Sequence, residues 1–483
     1  MSLALGVDSS TQSTKAELRR IDTGEVVARG SAPHPPAEPP SSEQDPRSWW
    51  DALASAIEQL GARRSEVVAV AVAGQQHGLV LLDAAGEVIR PAKLWNDTTS
   101  APEAAEIVDE LGAARWATGC GSVPVASFTI TKLTWVARHE PEALARTARI
   151  MLPHDYLTWR LTGRHVTDRG DASGTGWYDP STGRYAQDLL GVAVDDPASW
   201  VERLPEVLVH DASAGDLSPG VAAQLGLPDD VVVGPGTGDN MAAALGLGLR
   251  PGDIAMSLGT SGTVYAVSSE PSSDETGAVA GFADASGMFL PLVCTLNATR
   301  VTDTIAAFMG TDARGLSELA LRAPVGFGGV VLVPYFDGER TPNLPDATGS
   351  IVGLRTSTRR EELARAAHDG VLCGLFDGLD ALAAAGVSTD GRLHLIGGGA
   401  RSGAYQRRCA DLRGAPVVVP SAEEAVAAGA ALQAAAVATG TPTGDLAEQW
   451  GLGAGEVIEP DPNGDGPAIR RAYADHSGFQ STR

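Results

Sequence analysis

Lysine is nearly missing from this 483-residue chain: Lys15, Lys93 and Lys132 are the whole supply, and arginine carries the rest of the 36 positive charges. Against them stand 60 Asp and Glu, a net charge of −24. A chain this acidic, without a basic run, repels nucleic acid and anionic lipid, so no nucleic acid and no membrane are expected as partners. Cysteine is almost as scarce. Cys120, Cys294, Cys373 and Cys409 lie far apart, with no CxxC pair and no Cys/His ligand spacing. That argues against a disulfide scaffold or a structural zinc site, and it suits a reducing cytoplasm. No apolar run approaches the ~20 residues of a membrane-spanning helix. The opening MSLALGVDSS has neither the basic nor the long apolar part of a secretory signal. The dipeptide Gly-Lys never occurs, which removes a Walker A phosphate loop.

Present instead are short β-rich runs alternating with Ala-rich segments of helical period, the pattern of an α/β protein. Strands are expected over 3–7 and 14–20, a helix over 48–62 and a buried strand over 67–73. A helix is expected over 132–149, mostly loop over 165–185, and a partly irregular tail from 451. The strand–turn–strand unit LALGVDSSTQSTKAEL recurs as DIAMSLGTSGTVYAV some 250 residues later. This spacing suits two related domains, with a boundary in 245–252 at Arg250-Pro251-Gly252. The division is 1–248 and 249–483, with C-terminal helices that can pack back on the first domain. A last α/β unit is expected over 392–419, followed by a helix over 423–437.

Both hairpin turns are made of Gly, Ser, Thr and Gln, and such a turn aims backbone N–H groups at one point suited to phosphate oxygens. With so little lysine, phosphate has to be held by such donors and a metal. Asp8, where the first strand ends, can hold Mg²⁺ against phosphate oxygens or simply start an Asx-turn. Asp239, in Gly234-Pro235-Gly236-Thr237-Gly238-Asp239-Asn240, is placed to take a hydroxyl proton or to N-cap the following helix. Gln75-Gln76-His77-Gly78 and Leu94-Trp95-Asn96-Asp97 combine amides with an aromatic plate, a chemistry suited to a polyol or sugar. Gly397-Gly398-Gly399-Ala400-Arg401-Ser402, with Glu423 about twenty residues on, imitates a dinucleotide fingerprint and supports an NAD-dependent dehydrogenase; a glycine turn against a flat adenine fits it equally well.

Taken together, Ser42-Glu43-Gln44-Asp45-Pro46 with Trp49-Trp50, GQQHG at 74–78, LWND at 94–97, GTGDN at 236–240, SLGTSG at 257–262, Gly338-Glu339-Arg340-Thr341-Pro342 and GGGARS at 397–402 resemble the FGGY carbohydrate kinases. The resemblance runs from Leu3 to about Val437. GQ-x-HG and WND are similar to the branch of that family that acts on xylulose. The resemblance implies two duplicated actin-like/hexokinase-type (ribonuclease H-like) domains around a central cleft. It also implies ATP- and Mg²⁺-dependent phosphorylation of the 5-hydroxyl of D-xylulose in the cytoplasm. Asp239 would be the base; Gln76, His77, Asp239 and Asn240 would contact the sugar. Asp8 would serve the metal, and Thr11, Gln12 and Ser13 the transferring phosphate. Gly259, Thr260, Ser261 and Gly262 would hold the other phosphates, with Gly398 and Gly399 flanking the adenosine. Homodimers occur among such kinases. Ser10, Thr131 and Thr304 depart from the family pattern, which usually has glycine, proline and tryptophan there. The other readings are a kinase of this family for another pentulose or polyol, a catalytically silent sugar-binding member, and the dehydrogenase.

Overall fold

Alternation of apolar and small residues makes Leu3–Ser9 (β1) a strand buried along its whole length, and Ser13–Arg20 (β2) returns antiparallel to it. Ser10, Thr11 and Gln12 form the turn. Val26–Pro33 (β3) lies outside β2, while Val67–Gly74 (β4), a run of Val and Ala, pairs parallel with β1 on its other side. Gly215–Asp216 (β5) and Val232–Val233 (β6) extend the sheet beyond β4, giving the order β5-β6-β4-β1-β2-β3. Thr237–Gly238 (β7) pairs parallel with the last two residues of β4. The computed structural model describes residues 2–324, 326, 328–421 and 424–478.

Helices cover this sheet because their apolar stripes match its faces. Pro46–Glu58 (α1) starts with Asp45 capping Arg47 N and with Pro46 at its first position, where a missing N–H costs nothing. Its Trp49, Leu53 and Ile57 pack with Leu3, Leu5 and Val7 and with Tyr156, Leu157 and Leu161 of Pro153–Thr162 (α2). Asp239–Gly246 (α3) leads off from β7.

The second half repeats the plan. Ile254–Leu258 (β8) and Gly262–Ala266 (β9) form an antiparallel hairpin around Gly259, Thr260 and Ser261, the same three-residue turn as at 10–12. Phe289–Thr295 (β10) lies outside β9, as β3 lies outside β2. Leu393–Ile396 (β11) runs parallel to β8, as β4 does to β1, and Val417–Pro420 (β12) and Gly455–Ile458 (β13) continue the sheet. The 25-residue helix Arg360–Ala384 (α4) and Gly403–Arg413 (α5) belong to this half. The described chain divides into two compact units: residues 2–249, 269–290 and 424–452, and residues 250–268, 291–421 and 453–478. Within the first, the helix Ala425–Thr439 (α6) packs on α3 and β1.

Three expectations need correction. The helix over 132–149 is two, Thr129–His139 and Pro141–Arg146, because Pro141 has no N–H to continue the first and Glu140 turns out of helical geometry at φ −134°. The expected loop 165–185 holds the strand Val166–Asp168 and the one-turn helix Arg169–Ala172. The described tail is partly irregular, as expected, over 451–454 and 459–465, and between and after these stretches it holds β13, paired antiparallel with β12, and the helix Gly466–Ser477. Asp239 does not cap a helix: Gly238 holds that position and Asp239 is the first helical residue. Glu423 lies outside the described residues. Among those described, no helix is long and apolar enough to cross a membrane.

Candidate active site

Asp8 and Thr237 both pair with Ala73 of β4, one from each side, and Ser9 and Gly238 both pair with Gly74. The three strands β1, β4 and β7 therefore end together, and the residues after them converge. Gln75 N donates to Ser9 O at 3.0 Å. Asn240 Nδ2 donates to Gln76 Oε1 at 2.8 Å, and Asn240 N donates to Asp239 Oδ1 at 2.8 Å. Glycine is required where backbone meets side chain. A Cβ on Gly236, at φ 76°, would lie 2.6 Å from Val72 O, and one on Gly238 would lie 2.7 Å from Gln76 Cγ.

Burial governs the electrostatics of this junction. It pushes Asp239 up to about 7; the like charge of Asp8 adds to the rise and the donors of Asn240 restrain it. Burial likewise lifts Asp8 to about 6, opposed by the Ser10 hydroxyl and Lys15 and assisted by Glu424. Ser10, where the family pattern has glycine, thus donates to Asp8 Oδ1.

The first turn is fixed from outside. Gln44, in the motif before α1, donates through Nε2 to Thr11 O at 3.0 Å and accepts from Trp49 Nε1 at 2.7 Å. Thr11 Oγ1 receives Trp95 Nε1 at 2.8 Å, which ties the LWND loop to the turn. Gln12 is exposed and Ser13 half-buried at the start of β2. His77 sits at φ 65° and its Nδ1, facing the Gly174 carbonyl at 2.7 Å, must carry a proton to donate there. The His77 ring stacks on Phe128 with centroids 5.0 Å apart. The amide nitrogens of Gln75 and Gln76 and Asn96 Oδ1 are buried without a hydrogen-bond partner among the described residues. Three unpaired polar atoms of this kind suit a ligand rich in hydroxyls.

The second unit carries the remaining expected residues. Gly259 O and Thr260 O accept from Thr299 N and Ala298 N at 3.0 and 3.2 Å, so the turn rests on the start of the next helix. Glu339 of the Gly-Glu-Arg-Thr-Pro motif holds that support: it accepts from Leu296 N at 2.6 Å and from Asn297 Nδ2 at 2.9 Å. Gly397 and Gly399 pack on Leu258, whereas a Cβ on Gly398 would meet nothing within 4 Å, so Gly398 presents an open backbone face. Ser402 caps α5 through Tyr405 N. Thr131 replaces the family's proline by capping its own turn, donating to Phe128 O at 2.9 Å, and Thr304 is a half-buried helix residue whose hydroxyl donates to Arg300 O.

One group escaped the sequence reading: His154, Asp155, Asp168 and Asp171, all buried behind loop 236–239. The available signal was polar pairs at 154–155 and at i, i+3 spacing over 168–171. It was hidden because 165–185 reads as a solvated loop.

A family model for the N-terminal domain of the FGGY family of carbohydrate kinases matches residues 3–246, and one for the C-terminal domain matches 254–438. The chain is 50% identical over 460 residues to a xylulose kinase of Streptomyces coelicolor, covering 95% of this chain and 92% of that protein. It is 50% identical over 458 residues to one of Streptomyces rubiginosus, with the same coverage. The crystal structure of a xylulose kinase from Bifidobacterium adolescentis is similar at a TM-score of 0.87 and 42% identity, covering 98% of this chain and 99% of that one. With both halves matched and the duplicated mixed sheets in place, the chain belongs to the FGGY family of carbohydrate kinases, of actin-like, ribonuclease H-like fold.

Proposed function

We propose that this kinase transfers the terminal phosphoryl group of ATP to the 5-hydroxyl of D-xylulose, with Asp239 as general base. The observation that carries the reading is the junction of β1, β4 and β7. There a carboxyl poised at about 7 stands beside unpaired amide donors. The xylulose kinases to which the chain is 50% identical support the choice of sugar.

A base with its pKa near working pH combines a large ionised fraction with real proton affinity, and such assistance is worth roughly 10²–10⁴ in rate. Both bonds from Asn240 fall on Asp239 Oδ1, which leaves Oδ2 for the hydroxyl proton. As that proton passes to Oδ2, the sugar oxygen bonds to the γ-phosphorus, the bond to the bridging oxygen breaks, and ADP leaves. Gln76 and Asn240, locked to each other, orient the sugar. His77, held by Nδ1 against Gly174 O and stacked on Phe128, contacts the sugar.

Asp8 fits the family's Mg²⁺, being a buried carboxylate that a cation would keep ionised. Among the described residues no group of three or more His, Cys, Asp or Glu is arranged to hold a metal. An ion held by one carboxylate, phosphate oxygens and water matches the habit of Mg²⁺. When bound, it would neutralise charge on the phosphates. Thr11, Gln12 and Ser13 serve the transferring phosphate, Gly259 to Gly262 the others, and the open face of Gly398 with Gly399 the adenosine. Coupled ADP release over a panel of ketoses and polyols tests the substrate. Xylulose should give the highest kcat/KM, and turnover of ribulose or glycerol at an equal or higher value would overturn that choice.

A further inference from the structure

Behind Gly236 and Thr237 lies a histidine that no step above uses. His154, at the start of α2, is completely buried, and its Nε2 faces three carboxylates: Asp155 Oδ1 at 3.1 Å, Asp171 Oδ2 at 3.3 Å and Asp168 Oδ1 at 3.4 Å. Three acids around one ring nitrogen require that nitrogen to carry a proton. Two of the acids are themselves built into backbone, while both oxygens of Asp171 are buried without a hydrogen-bond partner among the described residues. Asp155 Oδ2 accepts from Leu152 N at 2.8 Å, and Asp168 accepts from Gly170 N and Asp171 N at 2.9 and 3.0 Å. The remaining lone pairs of Asp168 Oδ2 reach Thr237, whose Oγ1 donates at 2.8 Å. Thr237 stands two residues before Asp239, and the neighbouring Gly236 is so close that a Cβ there would lie 2.7 Å from His154 Nδ1.

We infer that His154 is a positioning residue of the transfer reaction, its imidazolium holding Asp168 in place to anchor Thr237 and thereby aim Asp239. The inference rests on Asp239 being the base. Burial alone would make His154 a weaker base, but the carboxylates override it and raise the ring to about 9. Burial in turn lifts Asp155 to about 6 and Asp171 well above the usual carboxylate range, with the His154 charge opposing both. Three aspartates face His154, from its own helix and from 168–171; loop 236–237 adds only neutral groups. Asp171 also feels Asp239, Asp239 feels Asp8, and Asp8 feels Lys15 and Glu424. A cation lost here leaves buried acids to repel one another around the anchor. Displacing a reacting group by about 1 Å can cost on the order of 10² in rate.

The test compares His154→Gln, His154→Lys, Thr237→Val and the double variant His154→Gln/Thr237→Val in the purified full chain, by kcat and KM over pH 6–10. His154→Gln and Thr237→Val should each lower kcat about tenfold or more, with KM for the sugar changed less than about threefold. The double variant should be no slower than the slower single one, because both cut the same tether. His154→Lys keeps a cation and should recover most of kcat while moving an alkaline limb near 9 upward. If His154→Gln does not fold, His154→Lys and Thr237→Val decide alone. Wild-type kcat in either Gln or Val variant, losses that multiply in the double variant, or an alkaline limb unmoved by lysine would overturn the inference. Asp239→Asn separates the two levels. Should it retain turnover, the base assignment fails. Should it lose turnover while the His154 and Thr237 variants match wild type, only this inference fails.

Discussion

Asp8 and Asp239 are lifted by the same cause, burial, and each feels other carboxylates in its unit. A carboxyl whose folded pKa stands above its unfolded value favours folding while protonated and loses that contribution as pH rises from about 4 through about 7. Asp239→Asn removes the ionising group, so its melting temperature should match wild type near pH 4 and exceed it by several degrees at pH 8, read by thermal shift without nucleotide or metal. Equal melting temperatures at pH 8 would deny the buried charge. Scarce lysine is also spent here with purpose. Lys132 Nζ donates to the carbonyls of Ala126, Ser127 and Phe128, and so fixes the ring that stacks on His77. Lys93 lies 3.8 Å over the Trp135 ring and reaches Asp97 and Thr99 of the loop that presents Trp95 and Asn96. Lys132→Met should therefore raise KM for the sugar about tenfold with a smaller change in KM for ATP, measured by initial rates; unchanged sugar KM would remove Lys132 from the site's support. That Asp8, Gln76, His77 and Asp239 lie at or just after strand ends could be read from the sequence, because each follows a strand-like run. The roles of the two lysines and of His154 could not, since each acts on loops distant in sequence, and nothing local marks a charge as buried.

Among elements, α6 shows how small residues replace a hydrophobic stripe. It is buried nearly all round, and backbone meets backbone at its crossings. A Cβ on Gly429 would lie 1.8 Å from Ala242 O, one on Gly246 would lie 1.9 Å from Ala425 O, and one on Gly6 would lie 2.0 Å from Ala427 O. α6 thus clamps α3, which begins with Asp239, directly to β1, which carries Asp8. Gly429→Ala should cost about 1–3 kcal/mol of unfolding free energy, by the penalty for overpacking. Gly444→Ala, nearby in a helix with open space around it, should gain up to about 1 kcal/mol. Urea unfolding followed by circular dichroism reads both, and a neutral Gly429→Ala would refute the clamp. The paired hairpins and the Ala-rich helix were legible because strand period, turn composition and alanine content are local signals. The short elements in 165–185 and the pairing of β13 with β12 depend on partners elsewhere in the chain, whereas the split at Pro141 is a local proline signal that the helical period on either side of it masked.

For the molecule as a whole, a net charge of −24 must coexist with binding of a polyanion. The proposed phosphate contacts are backbone turns and hydroxyl groups, with no lysine among them, so long-range attraction does not assist nucleotide capture. Raising NaCl from about 10 mM to about 150 mM shortens the screening length from about 30 Å to about 8 Å. kcat/KM for ATP should then rise or hold steady at fixed free Mg²⁺; a steep fall would reveal a basic capture surface that the account lacks. In the proposed function one hairpin serves the transferring phosphate and the other the remaining phosphates, and the proton goes to one carboxyl, Asp239. The most direct measurement is sugar-dependent ADP release by Asp239→Asn at saturating xylulose and ATP, alongside wild type. With Asp239 as the base, the loss should be at least about 10²-fold with nucleotide binding retained. Turnover within about tenfold of wild type would contradict it.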